Sequence, residues 1–139
     1  MRISGIKKIK KKIFISKKGD LIKYISTKDR FFKKFGEVYF SEIKKKKTKG
    51  WNLHTKYKCH LAVISGKVKF NFIDNRKNSK TYLKKDTVIL SKKNYSILLV
   101  PPNIWFSFTT ENKVSLIVNM LNYPHSDIET KKSRTKFHF

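Results

Sequence analysis

A short segment near the middle of the chain carries the residue types needed for acid–base chemistry. The sequence KGWNLH at residues 49–54 has the pattern of a glycine turn that leads into a strand, and His60 follows six residues after His54. Histidine is the side chain whose free pKa suits proton abstraction near neutral pH. His54 is therefore the candidate general base. The alternative is a partly buried histidine that bonds only to the backbone.

Metal chemistry is poorly supported by the same segment. A metal site in a barrel typically takes two or three histidines and a carboxylate that converge on one cavity. His54 and His60 would share a face of an extended strand, but no glutamate lies between them. No histidine follows the proline pair at 101–102 either, where Trp105 and Phe106 stand. The sequence therefore predicts no metal site.

Nucleophilic catalysis has one candidate, the single cysteine of the chain. Cys59 is in phase with Leu61 and Val63 on a predicted strand, which favours a buried, inert thiol. A lone cysteine also excludes an intrachain disulfide and a multi-cysteine zinc site. The five glycines are spread along the chain, so no phosphate-binding glycine loop is predicted.

The strongest feature of the composition is its charge. The chain has 34 Lys and Arg against 9 Asp and Glu, a formal net charge of +25. Lysines at 44–47 precede Trp51, a pattern that suits single-stranded nucleic acid, but charge clusters alone give affinity without specificity. We therefore predict no specific nucleic-acid partner. The longest aliphatic run, at 97–100, is far too short to span a bilayer, which predicts no membrane insertion and a cytoplasmic protein.

Strands must position these residues. Residues 67–72 alternate, with Val68, Phe70 and Phe72 on one face and polar side chains on the other. Similar short segments separated by turn-forming residues occur at 12–16, 21–25, 37–43, 60–65, 87–90, 95–100, 105–109 and 114–121. This spacing predicts an all-β fold, an antiparallel sandwich or barrel. At most one short helix is predicted, near residues 27–35, where Thr27 would cap a phenylalanine-bearing face.

The length of 139 residues suits one domain. The alternation is lost near the C-terminus, where basic residues gather. We predict a single domain over residues 1–126 and a basic tail over 127–139, which is either mobile or packs on a partner subunit.

Several motifs make the sequence recognisable. DNRKNSKTY at 74–82 resembles an Asp-x-Arg-x-x-Ser-x-Thr-aromatic turn, LSKKN at 90–94 a Leu-Ser-x-x-Asn motif, and LVPPNIW at 99–105 an apolar strand ending in Pro-Pro-Gly-x-Trp. FGEVYFS at 35–41, KGWNLH at 49–54, and NYPH at 122–125 followed by Glu129 complete the set. Over roughly residues 3–130, the chain resembles the dTDP-4-dehydrorhamnose 3,5-epimerase family.

The resemblance implies a cupin-like jelly roll that forms a homodimer by exchanging N-terminal strands. It also implies a cavity, free of metal and cofactor, for a nucleotide-diphosphate 4-keto sugar used in surface polysaccharide synthesis. In that cavity a histidine removes the proton next to the ketone, and a tyrosine returns a proton on the other face. A nearby cation stabilises the enolate.

Carried over by position, the resemblance makes His54 the base. Four other positions depart from the family pattern: Asn52 stands for a histidine, Cys59 for a lysine, Asn119 for the tyrosine acid and Phe106 for the histidine after the proline pair. No match is found for the carboxylate that orients the base. Tyr57 or Tyr123 is a possible replacement for the acid.

The remaining candidate substrate contacts follow from the same comparison. We expect Asn52, His60 and Asn119 to be polar contacts in the barrel. Trp51 or Trp105 would form an apolar wall, and Lys49 and Arg76 would be cations for the diphosphate, unless Arg76 braces its own turn.

Two alternative functions stay open from the sequence. One is a sugar-nucleotide 3,4-ketoisomerase, whose Gly-x-His-x-His motif is half matched, since His54 stands for its second histidine and Asn52 replaces the first. The other is a catalytically inactive cupin that binds a sugar nucleotide. A carboxylate beside His54 and a tyrosine hydroxyl across the cavity would favour the enzyme, whereas a cavity filled by Phe106 and aliphatic side chains would favour the inactive protein.

Overall fold

The computed structural model describes residues 1–124, 126 and 129–133. In these residues the chain forms twelve strands and one short 3₁₀ turn, Lys92–Asn94. The strands are β1 (Lys7–Lys10), β2 (Ile13–Phe14), β3 (Leu21–Ile22), β4 (Glu37–Lys44), β5 (Thr48–His54), β6 (Cys59–Ser65), β7 (Lys67–Asp74), β8 (Lys85–Ser91), β9 (Ser96–Val100), β10 (Ile104–Thr110), β11 (Val114–Leu121) and β12 (Thr130–Lys132).

Most strands belong to two five-stranded sheets. The first sheet has the order β1-β9-β6-β11-β4, and the second has the order β12-β5-β10-β7-β8. Every pair is antiparallel, and β2 and β3 form a separate hairpin. Chain neighbours such as β5 and β6 lie in different sheets, as in a jelly roll. The predicted all-β antiparallel fold is confirmed.

The main core lies between the two sheets. Val68, Phe70 and Phe72 on β7 are fully buried, whereas Lys67 and Lys69 are exposed, as their alternation predicts. Apolar side chains from both sheets join these three in one cluster. Each sheet therefore contributes its inward-facing row to the core.

A second apolar cluster covers the outer face of the first sheet. Ala62 on β6 and Val118 on β11 pack there against partly buried residues of the N-terminal segment, among them Ile22, Tyr24 and Phe31. The Tyr24 hydroxyl also accepts a hydrogen bond from the backbone N–H of Met120 at 2.8 Å. The central strands of the first sheet are thus covered on both faces, whereas Val38 and Phe40 on the edge strand β4 are exposed.

The segment expected to hold a short helix forms turns instead. Asp29 N–H bonds to the carbonyl of Ser26, and Phe32 N–H bonds to the carbonyl of Asp29. The Asp29 carboxylate also accepts the N–H of Ser26 at 2.8 Å and pairs with Lys11 at 2.9 Å. These side-chain bonds favour a turn over a continuing helix. No helix in the described residues is long and apolar enough to cross a membrane.

Part of the predicted C-terminal tail belongs to the barrel. β12 pairs with β5, with Thr130 opposite His54 and Lys132 opposite Asn52. The sequence pattern did not predict this strand, because an edge strand of three residues, two of them lysines, shows little alternation. The predicted tail residues 127, 128 and 134–139 lie outside the described residues.

Candidate active site

A cavity of about 210 Å³ opens between the two sheets. Its apolar lining comes from Leu61 and Ile117 of the first sheet and from Phe106 and Phe108 of the second. The polar side chains that line it are Tyr39, Ser41, Lys49, Asn52, His54, Asn119, Thr130 and Lys132. The cavity thus combines apolar walls with a small set of convergent polar groups, as ligand sites do.

A β-bulge in β5 aims its polar residues into this cavity. Phe106 pairs with Asn52, but Ser107 pairs with Gly50, so that Trp51 is the extra residue. In a regular strand, Lys49 and Asn52 would point to opposite faces, because they are three residues apart. The bulge shifts the phase and places both side chains on the face that also carries His54.

His54 is held by a buried carboxylate from the far end of the chain. Its Nδ1 lies 2.9 Å from Oε1 of Glu129 and 3.1 Å from the hydroxyl oxygen of Thr130. An ionised carboxylate only accepts hydrogen bonds, so Nδ1 carries the proton that it donates to Glu129. The Nε2 of His54 is then the unprotonated nitrogen, which is the tautomer that a general base requires.

Hydrogen bonds from neighbouring donors keep the Glu129 carboxyl group ionised. Its Oε2 accepts the backbone N–H groups of Lys56 and Tyr57 at 2.8 and 2.9 Å, and its Oε1 accepts the Thr130 hydroxyl at 2.9 Å. Burial alone would raise the pKa of this carboxyl, but these bonds and the one from His54 outweigh it and lower the pKa. The negative charge orients the His54 ring through its Nδ1–H.

The opposite wall carries a tyrosine hydroxyl. Tyr39 on β4 and Asn119 on β11 are directly paired, and Nδ2 of Asn119 lies 3.3 Å from the Tyr39 hydroxyl oxygen. The Asn119 side-chain oxygen accepts the backbone N–H of His60 at 2.9 Å. Burial raises the pKa of Tyr39, so its hydroxyl stays protonated near neutral pH.

Two exposed lysines provide positive charge at the cavity. Lys49 lies on β5 and Lys132 on β12, and both side chains line the cavity while remaining exposed. The Lys49 ammonium donates to the Ser41 hydroxyl of the opposite sheet at 2.8 Å. Exposed cations at an opening suit a hydrated anion such as a phosphate.

A protein-family model matches nearly the whole length of the chain. The family model described as dTDP-4-dehydrorhamnose 3,5-epimerase matches residues 1–133. The chain belongs to this family. Comparison with curated protein sequences gives no match.

Solved structures of the epimerase family share the fold. The dTDP sugar isomerase from Desulfovibrio desulfuricans is 25% identical, with a TM-score of 0.92, over 95% of this chain and 85% of that chain. A Legionella pneumophila epimerase in complex with dTDP-4-keto-L-rhamnose is 17% identical, with a TM-score of 0.79, over 91% of this chain and 77% of that chain. A double mutant of a 3′-monoepimerase from Streptomyces bikiniensis, in complex with dTDP, is 11% identical, with a TM-score of 0.85, over 95% and 70%.

Four of the residues predicted from the sequence meet in the epimerase-family cavity, namely Lys49, Asn52, His54 and Asn119. His60 does not, which corrects its expected place among the polar contacts. It precedes Leu61, which lines the cavity, so its ring turns to the opposite face and lies 5.9 Å from the ring of Phe31. Its Nδ1 bonds to the carbonyl of Met120, and burial lowers its pKa.

Neither tryptophan lines the cavity. Trp105 follows the alternation of β10, in which Phe106 and Phe108 face inward, so Trp105 faces outward. Trp51 is buried at the bulge, and its carbonyl accepts the N–H of Ser133. The expected apolar wall is instead made by the two phenylalanines.

Arg76 braces its own turn. Its Nε donates to the fully buried Asp74 carboxylate at 2.8 Å, and Nη2 bonds to the carbonyl of Ser4. Ser79 and Thr81 donate to the same carboxylate at 2.7 and 2.6 Å. The turn motif at 74–82 is thus explained by this hydrogen-bond network, and Arg76 is not among the residues that line the cavity.

The two tyrosines considered as replacement acids lie elsewhere. Tyr57 and Tyr123 stack with ring centroids 6.2 Å apart and line a different cavity of about 870 Å³. The Tyr57 hydroxyl donates to the carbonyl of Pro124. This cavity is larger and Glu129 lines it, but His54 is not among its lining residues.

Cys59 is fully buried in the main core, and burial raises the pKa of its thiol to about 12. This agrees with the prediction of an inert cysteine. The described residues contain no group of three or more His, Cys, Asp or Glu side chains that could hold a metal ion.

Two residues of the site are not among the site residues predicted from the sequence. Glu129 bonds to His54 without lining the cavity itself, and its place in the closing Pro-His…Glu motif is the signal for its role. Tyr39 lies within the FGEVYFS motif at 35–41, but its partner Asn119 is 80 residues away, and only the strand pairing brings them together.

Proposed function

We propose that this protein epimerises a dTDP-4-keto-6-deoxy sugar at one or both carbons next to the ketone. The observation that carries the proposal is the hydrogen bond between Glu129 and His54, which lines the cavity together with an amide and a phenol on nearby walls. The family membership supports the substrate class.

The chemistry starts from the acidity of the substrate. A 4-keto group acidifies the C–H bonds at C3 and C5, because the electron pair left behind spreads onto the ketone oxygen as an enolate. Nε2 of His54 takes the proton, and Glu129 stabilises the imidazolium that forms. Asn52 lies on the same face, two residues before His54, and donates its amide N–H to the enolate oxygen.

The size and charge of the cavity fit a substrate whose sugar ring lies inside the cavity and whose diphosphate lies at its opening. A volume of about 210 Å³ is below the roughly 300–1,000 Å³ of a typical ligand pocket, so it holds the sugar ring and not the whole nucleotide. The diphosphate then lies at the opening, near the exposed Lys49 and Lys132. The positive field of the chain draws this anion in.

The two alternatives are less well supported. A ketoisomerase motif requires a second histidine, and Asn52 occupies that position. An inactive cupin would have its cavity filled by Phe106 and aliphatic side chains, whereas here Phe106 and the other apolar residues form walls of an open cavity that polar side chains also line. Burying a carboxylate costs free energy unless the carboxylate is hydrogen-bonded. The buried Glu129 carboxylate bonds to Nδ1 of His54, which supports a histidine positioned as a base.

The test is to incubate the protein with dTDP-4-keto-6-deoxyglucose and to identify the product by proton NMR. The proposal expects a sugar inverted at C3, or at C3 and C5, and no conversion by the His54→Asn variant. A 3-keto sugar would identify a ketoisomerase. An unchanged sugar that nevertheless binds would identify an inactive binding protein.

We further propose that the protein acts in the cytoplasm as a homodimer. The β2–β3 hairpin supports the dimer, because Phe14, Ile15 and Leu21 are exposed on it and no other strand of the described residues pairs with it. Light scattering after gel filtration should give twice the chain mass of 16.5 kDa. A monomeric mass would contradict the dimer and leave the chemistry unaffected.

A further inference from the structure

Inverting a carbon requires a proton donor and a proton acceptor on opposite faces of the sugar ring. His54 lies on β5 of the second sheet, and the ring sits between the sheets if the proposed function is right. The donor must therefore come from the first sheet. Of the described residues that line the cavity, only Tyr39 on β4 provides a phenol there.

The hydrogen bonds around Asn119 determine how the Tyr39 hydroxyl is used. The Asn119 side-chain oxygen is occupied by the backbone N–H of His60, so the NH₂ group must be the end that faces Tyr39. The amide therefore donates to the phenol oxygen. The proton of the hydroxyl is left to point elsewhere, and among the described residues it has no protein acceptor in the cavity.

This hydrogen bond also stabilises the phenolate that forms when Tyr39 gives up its proton. When the hydroxyl gives up its proton, the amide N–H of Asn119 already points at the oxygen on which negative charge develops. Before that moment the phenol is protonated near neutral pH, because its ordinary pKa of about 10 is raised further. The Tyr39–Asn119 pair thus resembles an acid with its own stabilising donor.

We propose that Tyr39 is the general acid of this epimerase-like protein and that Asn119 is its positioning residue; the proposal rests on the proposed function. His54 Nε2 removes the proton from C3 or C5, and the C–H electron pair moves into the enolate. The enolate carbon then takes the Tyr39 proton on the opposite face. The phenolate regains a proton from water, and the imidazolium of His54 releases its proton to water.

The experiment separates proton removal from inversion. In deuterated water, NMR follows both the loss of the substrate C–H signal and the formation of the inverted sugar. In the Tyr39→Phe variant, His54 still removes the proton and returns a deuteron to the same face. We expect exchange within about threefold of the wild type and inversion reduced about 100-fold or more.

Matched variants make the result specific. Tyr123→Phe removes a hydroxyl of the other cavity and should leave both rates unchanged. Replacing Tyr39 by 3,5-difluorotyrosine keeps the shape of the side chain but lowers the phenol pKa. The alkaline limb of inversion should then move to lower pH, which a merely structural residue would not cause.

The outcomes are distinct. Inversion by Tyr39→Phe within about threefold of the wild type would overturn the assignment of Tyr39. Loss of exchange together with inversion, in a variant that melts like the wild type, would also overturn it, because Tyr39 would then be needed for proton removal or binding. A wild-type protein that shows no exchange at all would instead overturn the proposed function.

Discussion

Nδ1 of His54 lies 2.9 Å from Oε1 of Glu129, although 75 positions separate the two residues in the sequence. The pairing of β12 with β5 explains the contact, since Thr130 is directly opposite His54 and carries Glu129 with it. A strand of only three residues thus brings together the two residues that we propose as the catalytic pair. We expect changes that disrupt β12 to lower activity more than they lower the stability of the fold.

The Glu129→Gln variant should lose most of its activity. The change removes the negative charge that orients His54 and stabilises the imidazolium, while it keeps the size of the side chain. We expect kcat to fall about 100-fold or more, measured as the initial rate of inversion. Glu42→Gln, which alters an exposed glutamate on β4, should behave like the wild type. A Glu129→Gln variant with an undiminished rate would mean that His54 does not depend on this carboxylate.

Lys49→Gln should weaken substrate binding more than it slows the chemistry. The side chain is exposed at the cavity, where we propose that it meets the diphosphate, and we expect the loss of one exposed cation to raise KM about tenfold with kcat little changed. The difference from the wild type should shrink at high salt, because salt screens exposed charges. Lys69→Gln, on β7 outside the cavity, is the control. If kcat fell and KM stayed constant, Lys49 would act on the enolate instead.

Asp74→Asn should destabilise the fold without changing the site. The buried Asp74 carboxylate holds Arg76, Ser79 and Thr81, and breaking one partner of such a network costs about 3–5 kcal/mol. Urea unfolding should report this loss. The KM of the remaining folded protein should match the wild-type value, and an increased KM would return Arg76 to the list of substrate contacts.

The stability of the protein should fall as the solution is acidified. Burial raises the pKa of Asp74, but the hydrogen bonds from Arg76 and Thr81 outweigh it and bring the pKa well below the ordinary value, and Glu129 is also lowered. The unfolded chain therefore takes up protons first, near its ordinary pKa of about 4, and unfolding becomes easier below that pH. Thermal melts between pH 6 and pH 3 should show this loss, with a shallower slope in Asp74→Asn. An equal slope in both proteins would contradict the lowered pKa of Asp74.

Much of the fold could be predicted from local patterns. The alternation of residues 67–72 is a property of one strand, and it gave β7 with its inward face correctly. Residues 27–35 were harder, because phenylalanines at helical spacing also suit a chain that turns on itself. There, Asp29 bonds to the backbone of Ser26, and Phe31 packs on the outer face of the first sheet.

The site depended on contacts that no local pattern contains. His54 was found from its residue type and motif, but its carboxylate comes from an edge strand that looked like a basic tail. Lys49 faces the cavity only because of the bulge at Trp51, which a count of alternating positions cannot reveal. The Tyr39–Asn119 pair likewise requires the register of β4 against β11.

We propose that His54, held by Glu129, removes a proton next to the ketone of a 4-keto sugar nucleotide. The most direct measurement is the rate at which deuterium from the solvent enters C3 of dTDP-4-keto-6-deoxyglucose, followed by NMR for the wild type and for His54→Asn. We predict that the wild type catalyses the exchange. The variant should bind dTDP with the affinity of the wild type but catalyse the exchange at least about 100-fold more slowly. Exchange by His54→Asn at the wild-type rate would contradict the account.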